Sequence, residues 1–382
     1  MELELDEAHR MIHDAVREFV RGEVAPRAAE WEARAALPRE ILRQAAGLGL
    51  LGAMVPPEYG GAGLDTLGFV VALEELAAGD GSLALTLAAH NSLCCGHLLL
   101  AGSEPQKARF LPPLAAGELG AWALTEPGAG SDAGGTRTEA VRRGDRWVLN
   151  GSKTFITNGS EGRTIVLMAR TSHAHRERGI SAFVVEQGTP GLSARRMGEK
   201  LGMQASDTAE LHLEDVELPA EQLLGREGEG FIDTLRVLDG GRVGIGALAI
   251  GLARAGLERS LRYCQERRQF GRMLAEFQAT QFALADMATR LDAARLLVYR
   301  AAWLKDTGRR FTREASMAKL WASEAAMWTA WKAVQLHGGY GYSRELPLER
   351  HLRDVKLCEI GEGTSEIQRL VIARSLLEEA PA

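Results

Sequence analysis

The spacing of apolar residues predicts helices in the first third of the chain. Ile12, Val16 and Phe19 recur at helical spacing, and Asp6 is placed to cap the helix that carries them. Residues 65–100 alternate long apolar stretches with small residues, which is typical of buried helices. We therefore expect an α-helical N-terminal domain over residues 1–120.

In the middle of the chain the apolar residues follow a period of two instead. Short alternating runs occupy 147–149, 164–169 and 180–185, and turn signals such as Asn-Gly separate them. No helical stretch alternates with these runs, which argues against a doubly wound parallel sheet. The pattern predicts a small, central, antiparallel β-domain over residues 121–226.

Helical spacing returns after Gly230 and predicts a C-terminal helical domain over residues 227–382. Apolar or small residues there recur at alternating intervals of three and four, namely Phe277, Thr280, Leu284, Met287, Leu291, Ala294 and Val298. A stripe of this regularity predicts the seam of a helix bundle, and core packing explains it better than a cofactor site. The expected fold class is therefore α+β, mainly α, in the order helices, sheet, helices.

The charge balance and the cysteine content narrow the class of protein. The chain carries 45 basic and 51 acidic side chains, so a net charge of −6 gives no electrostatic reason to bind nucleic acid or an anionic membrane. The acidic N-terminus lacks the apolar segment of a signal peptide, and the apolar run 244–253 is too short to span a bilayer. Four cysteines without CxxC spacing favour a reducing compartment. We expect a soluble, cytoplasmic protein.

Glycine is unusually frequent, with 43 residues, which indicates tight turns or close approach of the backbone to a ligand. Residues 128–133 formally fit the dinucleotide fingerprint G-x-G-x-x-A. The glycines and Thr136 that follow should not open the helix that this fingerprint requires, so NAD binding is disfavoured. A loop with Thr125, Ser131 and bare backbone N–H groups can still cradle a flat polar ring or a phosphate.

Metal and hydrolase signatures are weak in this sequence. His9 and His13 lie one helical turn apart without an obvious third ligand, so we interpret them as solvated surface histidines and expect no metal site. No G-x-S-x-G elbow occurs, and residues 151–154 lack the upstream glycine of a P-loop.

A glutamate between two glycines stands near the C-terminus. Gly361 and Gly363 leave the backbone bare on both sides of Glu362, so a substrate can lie against this carboxylate. The same segment also fits a helix entry with Thr364 or Ser365 as the N-cap. The two interpretations are compatible, because a base can directly precede a helix.

Six motifs, in this order along the chain, resemble the acyl-CoA dehydrogenase family. The resemblance covers essentially the whole sequence and implies a three-domain flavoprotein with a C-terminal four-helix bundle, bound FAD and a homotetrameric assembly. The motifs are WALTEPGAGSD (122–132), NGSKTFITNG (150–159), LDGGRVGIGA (238–247), ERRQFG (266–271), QLHGGYGY (335–342) and IGEGTSEIQR (360–369).

The resemblance also implies which residues contact the cofactor and the substrate. The FAD contacts within one subunit would be Trp122, Leu124, Thr125, Gly130, Ser131, Phe155, Ile156, Thr157, Thr364 and Glu366. The residues that would reach FAD across a subunit interface are Arg267, Phe270, Gln278, Gln335, Leu336, Gly338 and Gly339. The acyl-CoA contacts would be Ser131, Asp239, Arg242, Gly361 and Gly363.

The implied reaction is the α,β-dehydrogenation of an acyl-CoA thioester to the trans-2-enoyl-CoA. Glu362 would remove the α-proton, while the flavin accepts the β-hydride and passes the electrons to an electron-transferring flavoprotein. The Glu362 N–H and a flavin hydroxyl would stabilise the developing enolate oxygen. Alternatives on the same fold are an acyl-CoA or nitroalkane oxidase, and a non-catalytic or nucleic-acid-binding offshoot.

Three positions vary within the family. Some relatives carry the base at the position of Gly241, where this chain has no carboxylate. Gly361 replaces a tyrosine found in many straight-chain members, which should widen the pocket for short or branched acyl groups from fatty acid or branched-chain amino acid breakdown. Phe155 replaces a tryptophan often found over the flavin.

Overall fold

The computed structural model describes residues 5–174 and 178–379. The N-terminal part is helical, and its helices are α1 (Glu7–Phe19), α2 (Ala28–Arg34), α3 (Arg39–Gly47), α4 (Thr66–Gly79), α5 (Gly81–Ala88), α6 (Gly96–Ala101) and α7 (Glu104–Ala115). The predicted cap of α1 is confirmed, because the Asp6 side chain accepts the His9 N–H at 2.9 Å. Short π-helical segments continue α1 and join α5 to α6.

The interpretation of the N-terminal histidines as solvated surface residues is wrong for His9. Its ring is buried and lies 3.0 Å from Asp65 Oδ1. His13 is only half-buried and reaches Glu75 Oε1 at 3.0 Å. The one-turn spacing therefore brings both rings onto the face of α1 that packs against α4, where carboxylates receive them.

The central part is a sheet with strands β1 (Gly120–Ala123), β2 (Glu139–Arg143), β3 (Arg146–Thr157), β4 (Thr164–Arg170), β5 (Ile180–Glu186), β6 (Leu192–Arg196), β7 (Thr208–Pro219) and β8 (Leu223–Leu224). The strand order is β6-β7-β3-β2-β4-β5-β8, and β1 pairs with β4. The predicted antiparallel arrangement is confirmed for most pairs. It is wrong for β1, which runs parallel to β4, and for the single bridge between β2 and β4.

The C-terminal part contains α8 (Gly230–Glu266), β9 (Arg268–Gln269), β10 (Arg272–Met273), α9 (Gln278–Asp306), α10 (Thr312–His337), α11 (Gly339–Tyr342), α12 (Leu348–Val355) and α13 (Ser365–Glu379). α10 packs against α8, α9 and α13, which gives a bundle. The predicted seam on α9 is confirmed for its later part, since Met287, Leu291, Ala294 and Val298 are buried. Its first residues, Phe277 and Thr280, are only half-buried, and Phe277 precedes the helix.

One apolar core joins the N-terminal and C-terminal helices. Leu73 and Leu76 of α4 share it with Ile245 of α8. The two helices approach closely at a glycine, because a Cβ added at Gly251 would lie 2.3 Å from the Glu74 carbonyl oxygen. The helical parts before and after the sheet therefore form one packed unit.

The sheet contributes to two further cores. On one face, Trp122 and Val166 pack with Phe110 of α7; on the other, Trp147 and Phe183 form a core within the sheet domain. β4 and β5 are buried on both faces, which accounts for their continuous apolar runs.

Helical residues 81–101 are long and apolar enough to cross a membrane by length and composition alone. In this fold 83% of that apolar window is buried inside the protein, as in the core helix of a soluble protein. The stretch therefore carries little weight as a membrane span.

Candidate active site

Glu362 lies in a tight loop between the 3₁₀ turn that follows α12 and the first residue of α13. Its φ is 54°, and that of Gly363 is 95°, so two consecutive residues adopt the left-handed conformation. Thr364 accepts the Ile367 N–H at 3.3 Å and thus caps α13. The segment is therefore a helix entry and also presents a carboxylate, as the two compatible interpretations require.

The loop directs the Glu362 carboxyl against the backbone of α8. A Cβ added at Gly241 would lie 1.9 Å from Glu362 Oε2 and 2.8 Å from Leu93 Cδ2. Oε2 is buried and has no hydrogen-bond partner in the part of the chain that the structure describes. Gly241 has no side chain, and its bare backbone makes room for Glu362.

The surroundings of Glu362 make it a stronger base than an ordinary carboxylate. Burial raises the pKa of Glu362 to about 7, against the opposing charges of Lys319 and Arg242, which lower it. A carboxyl with a pKa near neutrality exchanges its proton readily at physiological pH, which suits general base catalysis.

Two buried residues that the sequence analysis missed hold the loop in place. Lys319 Nζ donates to the Gly363 carbonyl oxygen at 2.7 Å, and Gln368 Nε2 donates to the same oxygen at 2.9 Å. The signal for Lys319 is its place among alanines on the buried face of α10, such as Ala315 and Ala322. A lone lysine on an apolar helical face indicates an internal partner.

Asp239 and Arg242, predicted to contact acyl-CoA, lie on α8 on either side of Gly241. Arg242 Nη1 donates to Asp239 Oδ1 at 2.6 Å, and Asp239 Oδ2 accepts from Thr312 at 2.6 Å. Both charged side chains are buried and paired with each other. Arg242 Nε is also buried and has no partner among the described residues.

A buried ion pair holds the glycine-rich loop after β1 in place. Lys153 Nζ lies 2.7 Å from Glu126 Oε1 and 3.1 Å from the Leu124 carbonyl oxygen. Glu126 also accepts the N–H groups of Arg137 and Thr138. Gly130 and Ser131, at the outer end of this loop, are exposed.

β3 bulges where it passes this loop. The pairing with β7 shifts register between Lys153 and Ile156, and Phe155 in the bulge has a φ of 58° and is 64% exposed. The Thr154 N–H donates to the Thr125 carbonyl oxygen at 2.9 Å, which brings bulge and loop together. Thr125 and Thr157 are half-buried beside these exposed groups.

These features fit a flat polar cofactor such as a flavin. An exposed aromatic ring, two threonines and glycines with open space beyond Cα, such as Gly130, form a surface that a planar ring can approach. The side chains of Trp122, Leu124 and Ile156 are buried in the cores, and the Trp122 indole donates to His97 Nδ1 at 3.1 Å. These three predicted FAD contacts can therefore act only through their main chain or through limited edges of the side chain.

The residues predicted to reach FAD across a subunit interface lie on the surface of the C-terminal part. Leu336 is half-buried, and the others, Arg267, Phe270, Gln278, Gln335, Gly338 and Gly339, are exposed. The Arg267 guanidinium lies 5.8 Å from the centre of the Tyr340 ring, next to Gly339. Tyr263 stacks on His337 at 4.2 Å and brings the ends of α8 and α10 together.

Two other kinds of site find no support in the structure. After the glycines at 128 and 130 the chain forms only one 3₁₀ turn, Ala133–Gly135, before β2, so no helix N-terminus is present for a dinucleotide pyrophosphate. Over residues 5–174 and 178–379, no cluster of three or more His, Cys, Asp or Glu side chains could hold a metal ion.

Comparison with known proteins shows that nearly the whole chain matches the domains of acyl-CoA dehydrogenases. The models of the acyl-CoA dehydrogenase N-terminal, middle and C-terminal domains match residues 6–118, 121–216 and 228–377. A short-chain specific acyl-CoA dehydrogenase of Clostridium acetobutylicum is 45% identical over 374 residues, which are 98% of this chain and 99% of that protein.

Two solved structures are similar over nearly their full length. Butyryl-CoA dehydrogenase from Megasphaera elsdenii superimposes with a TM-score of 0.96 and 42% identity, covering 99% of this chain and 100% of that one. A chain from the structural study of the electron transferring flavoprotein of Acidaminococcus fermentans gives a TM-score of 0.97 and 45% identity, with the same coverage. The chain therefore belongs to the acyl-CoA dehydrogenase family.

Proposed function

We propose that this protein is an FAD-dependent acyl-CoA dehydrogenase that converts short acyl-CoA thioesters to trans-2-enoyl-CoA. The observation that carries the proposal is that Oε2 of Glu362 is buried against the backbone of Gly241 and has no hydrogen-bond partner among the described residues. A carboxyl in these surroundings serves a reaction, because a purely structural glutamate would be expected to have its buried oxygens paired.

Glu362 acts as the base that removes the α-proton of the thioester. FAD, when bound, supplies the acceptor for the β-hydride. The Glu362 N–H has no acceptor among the described residues, so it can donate to the thioester oxygen as negative charge develops there. The residues on either side of this N–H in the chain, Gly361 and Gly363, carry no side chains.

The cofactor would be held by the loop and the bulge described above. Thr125, Gly130, Ser131, Phe155 and Thr157 present exposed or half-buried groups toward it. The remaining assignments follow from the family motifs, with main-chain contacts from Trp122, Leu124 and Ile156, contacts near the base from Thr364 and Glu366, and substrate contacts from Ser131, Asp239, Arg242, Gly361 and Gly363. The domain boundaries proposed at 120/121 and 226/227 fall between the three matched segments.

A homotetramer is the assembly that we propose. Large apolar side chains are exposed on the C-terminal part, including Phe270 at 93%, Tyr342 at 87% and Phe282 at 63%. Exposed apolar surface of this kind marks an interface with another chain. In the tetramer a neighbouring subunit would cover this surface. Across that interface, each chain would reach the FAD of the neighbouring subunit with Arg267, Phe270, Gln278, Gln335, Leu336, Gly338 and Gly339.

The expected substrate has a short acyl chain, and the electron acceptor is an electron-transferring flavoprotein. The C. acetobutylicum and M. elsdenii relatives support a short chain, and the A. fermentans structure supports the acceptor. At Gly361, an added Cβ would make only ordinary contact with Leu357, at 3.5 Å from its carbonyl oxygen. The space left by the missing side chain supports tolerance of branched short chains. A cytoplasmic location and the lack of a nucleic-acid partner remain predictions from charge and composition.

Anaerobic bleaching of the purified flavoprotein tests the proposal. The FAD absorbance should bleach with butyryl-CoA and with isobutyryl- or isovaleryl-CoA, and much more slowly with octanoyl-CoA. The Glu362→Gln variant should retain FAD but lose at least about 10²–10⁴-fold in bleaching rate, because the base is gone. Normal bleaching by this variant would refute the assignment of Glu362. Rapid aerobic turnover with peroxide release would favour an oxidase, and a colourless protein would favour a non-catalytic offshoot.

A further inference from the structure

Lys319 is an unusual residue to find in the interior of α10. Its side chain is fully buried among alanines such as Ala315, Ala318 and Ala322. Burial of an ammonium group is unfavourable, and a helix core does not need one. Its hydrogen bond goes to a neutral main-chain oxygen, that of Gly363, rather than to a carboxylate.

That oxygen belongs to the turn that aims Glu362. Because Glu362 and Gly363 both have left-handed backbones, the regular hydrogen bonds of a helix are not formed at the Gly363 carbonyl. Lys319 and Gln368, both fully buried, donate to it instead, and Gln368 also lies 3.3 Å from the Glu362 carbonyl oxygen. Two buried donors therefore define the position from which the Glu362 side chain leaves the backbone.

The charges that face Glu362 come from two elements, Lys319 on α10 and Arg242 on α8. The Arg242 guanidinium is paired with Asp239 at 2.6 Å, so much of its field is cancelled. The ammonium of Lys319 has no such close carboxylate partner among the described residues, which leaves its field directed at Glu362. Lys319 is thus the less compensated of the two cations.

The other groups around Lys319 do not neutralise it. Burial raises the pKa of the Cys358 thiol to about 12, so this neighbour is neutral at physiological pH. Glu359 pairs with Lys356. Burial lowers the pKa of Lys319 itself to about 8, which leaves most of the ammonium charged at pH 7.

We propose that Lys319 is a positioning residue for the base. It fixes the turn through the Gly363 carbonyl, and its charge favours the ionised form of Glu362 in an otherwise desolvated site. The inference rests on the proposed function of Glu362. Lys319 would affect the reaction through Glu362, without contacting the substrate itself.

Three variants separate charge from hydrogen bonding. Lys319→Gln can still donate to the carbonyl but lacks the charge, Lys319→Arg keeps both, and Gln368→Leu removes a neutral donor to the same oxygen. Two measurements are made on the holoenzyme of each. One is the pH dependence of kcat/KM, and the other is the carboxyl C=O stretch of Glu362 followed by infrared difference spectroscopy during a pH titration, with Glu362→Gln as the reference.

Lys319→Gln should move the acid limb of kcat/KM and the infrared titration upward together by about one pH unit, since a nearby opposite charge shifts a carboxyl by roughly that much. At pH 7 this corresponds to about a fivefold loss in rate, recovered at high pH. Lys319→Arg should retain the native limb. Gln368→Leu should lower the rate at all pH values without moving the limb.

An unmoved infrared titration in Lys319→Gln would overturn the proposal, as would a limb shift in Gln368→Leu equal to that in Lys319→Gln. An infrared shift without a shift of the kinetic limb would support the effect of Lys319 on Glu362 and refute Glu362 as the base, so the two proposals fail separately. If Lys319→Gln does not yield folded holoenzyme, Lys319→Met decides, because it also removes the charge. An infrared titration moved upward supports the proposal, and an unmoved one overturns it.

Discussion

Glu126 and Glu362 are both glutamates with buried carboxyl oxygens near a fully buried lysine, yet the fold treats them in opposite ways. Glu126 receives Lys153 at 2.7 Å and two backbone N–H groups. Burial disfavours its ionisation, but the charge and hydrogen bonds of Lys153 and its other donors prevail and lower its pKa. Glu362 Oε2 has no such donor among the described residues, and burial raises the pKa of Glu362 to about 7.

The difference lies in the acceptor that each lysine finds. Lys153 donates directly to the carboxylate, whereas Lys319 donates to the Gly363 carbonyl beside the carboxylate. A direct hydrogen bond stabilises the anion and makes it inert, while a nearby charge without one leaves it able to take a proton. The comparison shows that the placement of the donor, more than the presence of a cation, separates a structural glutamate from a reactive one.

The largest expected effect comes from breaking the ion pair between Lys153 and Glu126. Lys153→Met leaves the Glu126 charge buried without its cation and should lower the free energy of unfolding by about 3–5 kcal/mol. Urea unfolding at fixed protein concentration measures it. The double variant Glu126→Gln/Lys153→Met should recover much of the loss, because no buried charge remains. A loss in the double variant as large as in the single one would contradict the explanation.

The next effect tests the space that Glu362 occupies. Gly241→Ala places a methyl group 1.9 Å from the present position of Oε2, so the carboxyl must move. We expect kcat/KM to fall about 100-fold with FAD content unchanged, since misplacement of a catalytic group by about 1 Å costs roughly that factor. The matched control on the same helix is Gly256→Ala, whose added Cβ meets Ala333 Cβ at an ordinary 3.4 Å. Equal losses in both variants would indicate a general disturbance of α8.

The last predictions concern how the free energy of unfolding changes with pH, which should run in opposite directions for the ionisation of Glu362 and of Glu126. The folded state holds the Glu362 proton up to about pH 7, while the unfolded chain releases it near 4.5, so ionisation destabilises the fold increasingly over this range. Glu362→Gln removes this penalty and should gain stability relative to the wild type, on the order of 3 kcal/mol at pH 8. Below pH 4.5 the two proteins should differ little. Urea unfolding across pH 4–8 measures the change.

The opposite slope is expected for Glu126. Its lowered pKa means that the contribution of the ionised form is present above the unfolded value of 4.5 and is lost as the pH falls through the folded value. The deficit of Glu126→Gln should therefore be complete at pH 7 and shrink in acid. Parallel pH profiles for the two variants would show that burial, and not hydrogen bonding, determines both carboxyls.

The parts of the fold that depend on local pattern could be predicted from the sequence. The Asp6 cap and the later part of the α9 seam, with Met287 and Val298, depend on spacing within a few turns, and both are confirmed. The parallel pairing of β1 with β4 was missed, because alternation along one strand says nothing about the direction of its neighbour. His9 was misread for a similar reason, since its carboxylate partner Asp65 lies 56 residues away.

The candidate site, like the fold, could be predicted only where it depends on neighbouring residues in the sequence or on the family motifs. The glycines on either side of Glu362 indicated an accessible carboxylate, and the family motifs named the residues around it. Lys319 and Gln368 were not predicted as site residues, because their contact with Gly363 depends on how α10 and α13 pack around the turn. The side chain of Ile156 lies in the sheet core, so its assignment to the cofactor stays a prediction that concerns the main chain.

The shared core of α4 and α8 also bears on how the chain is made. α4 ends at Gly79 and α8 begins at Gly230, so the whole sheet is synthesised between them. At a translation rate of about 5–20 residues per second, roughly 8–30 s pass before the partner of α4 leaves the ribosome. During that interval α1 and α5 can already cover part of α4, but the apolar surface that packs against α8 has no native cover. The nascent chain therefore has to be shielded from aggregation until its second half emerges.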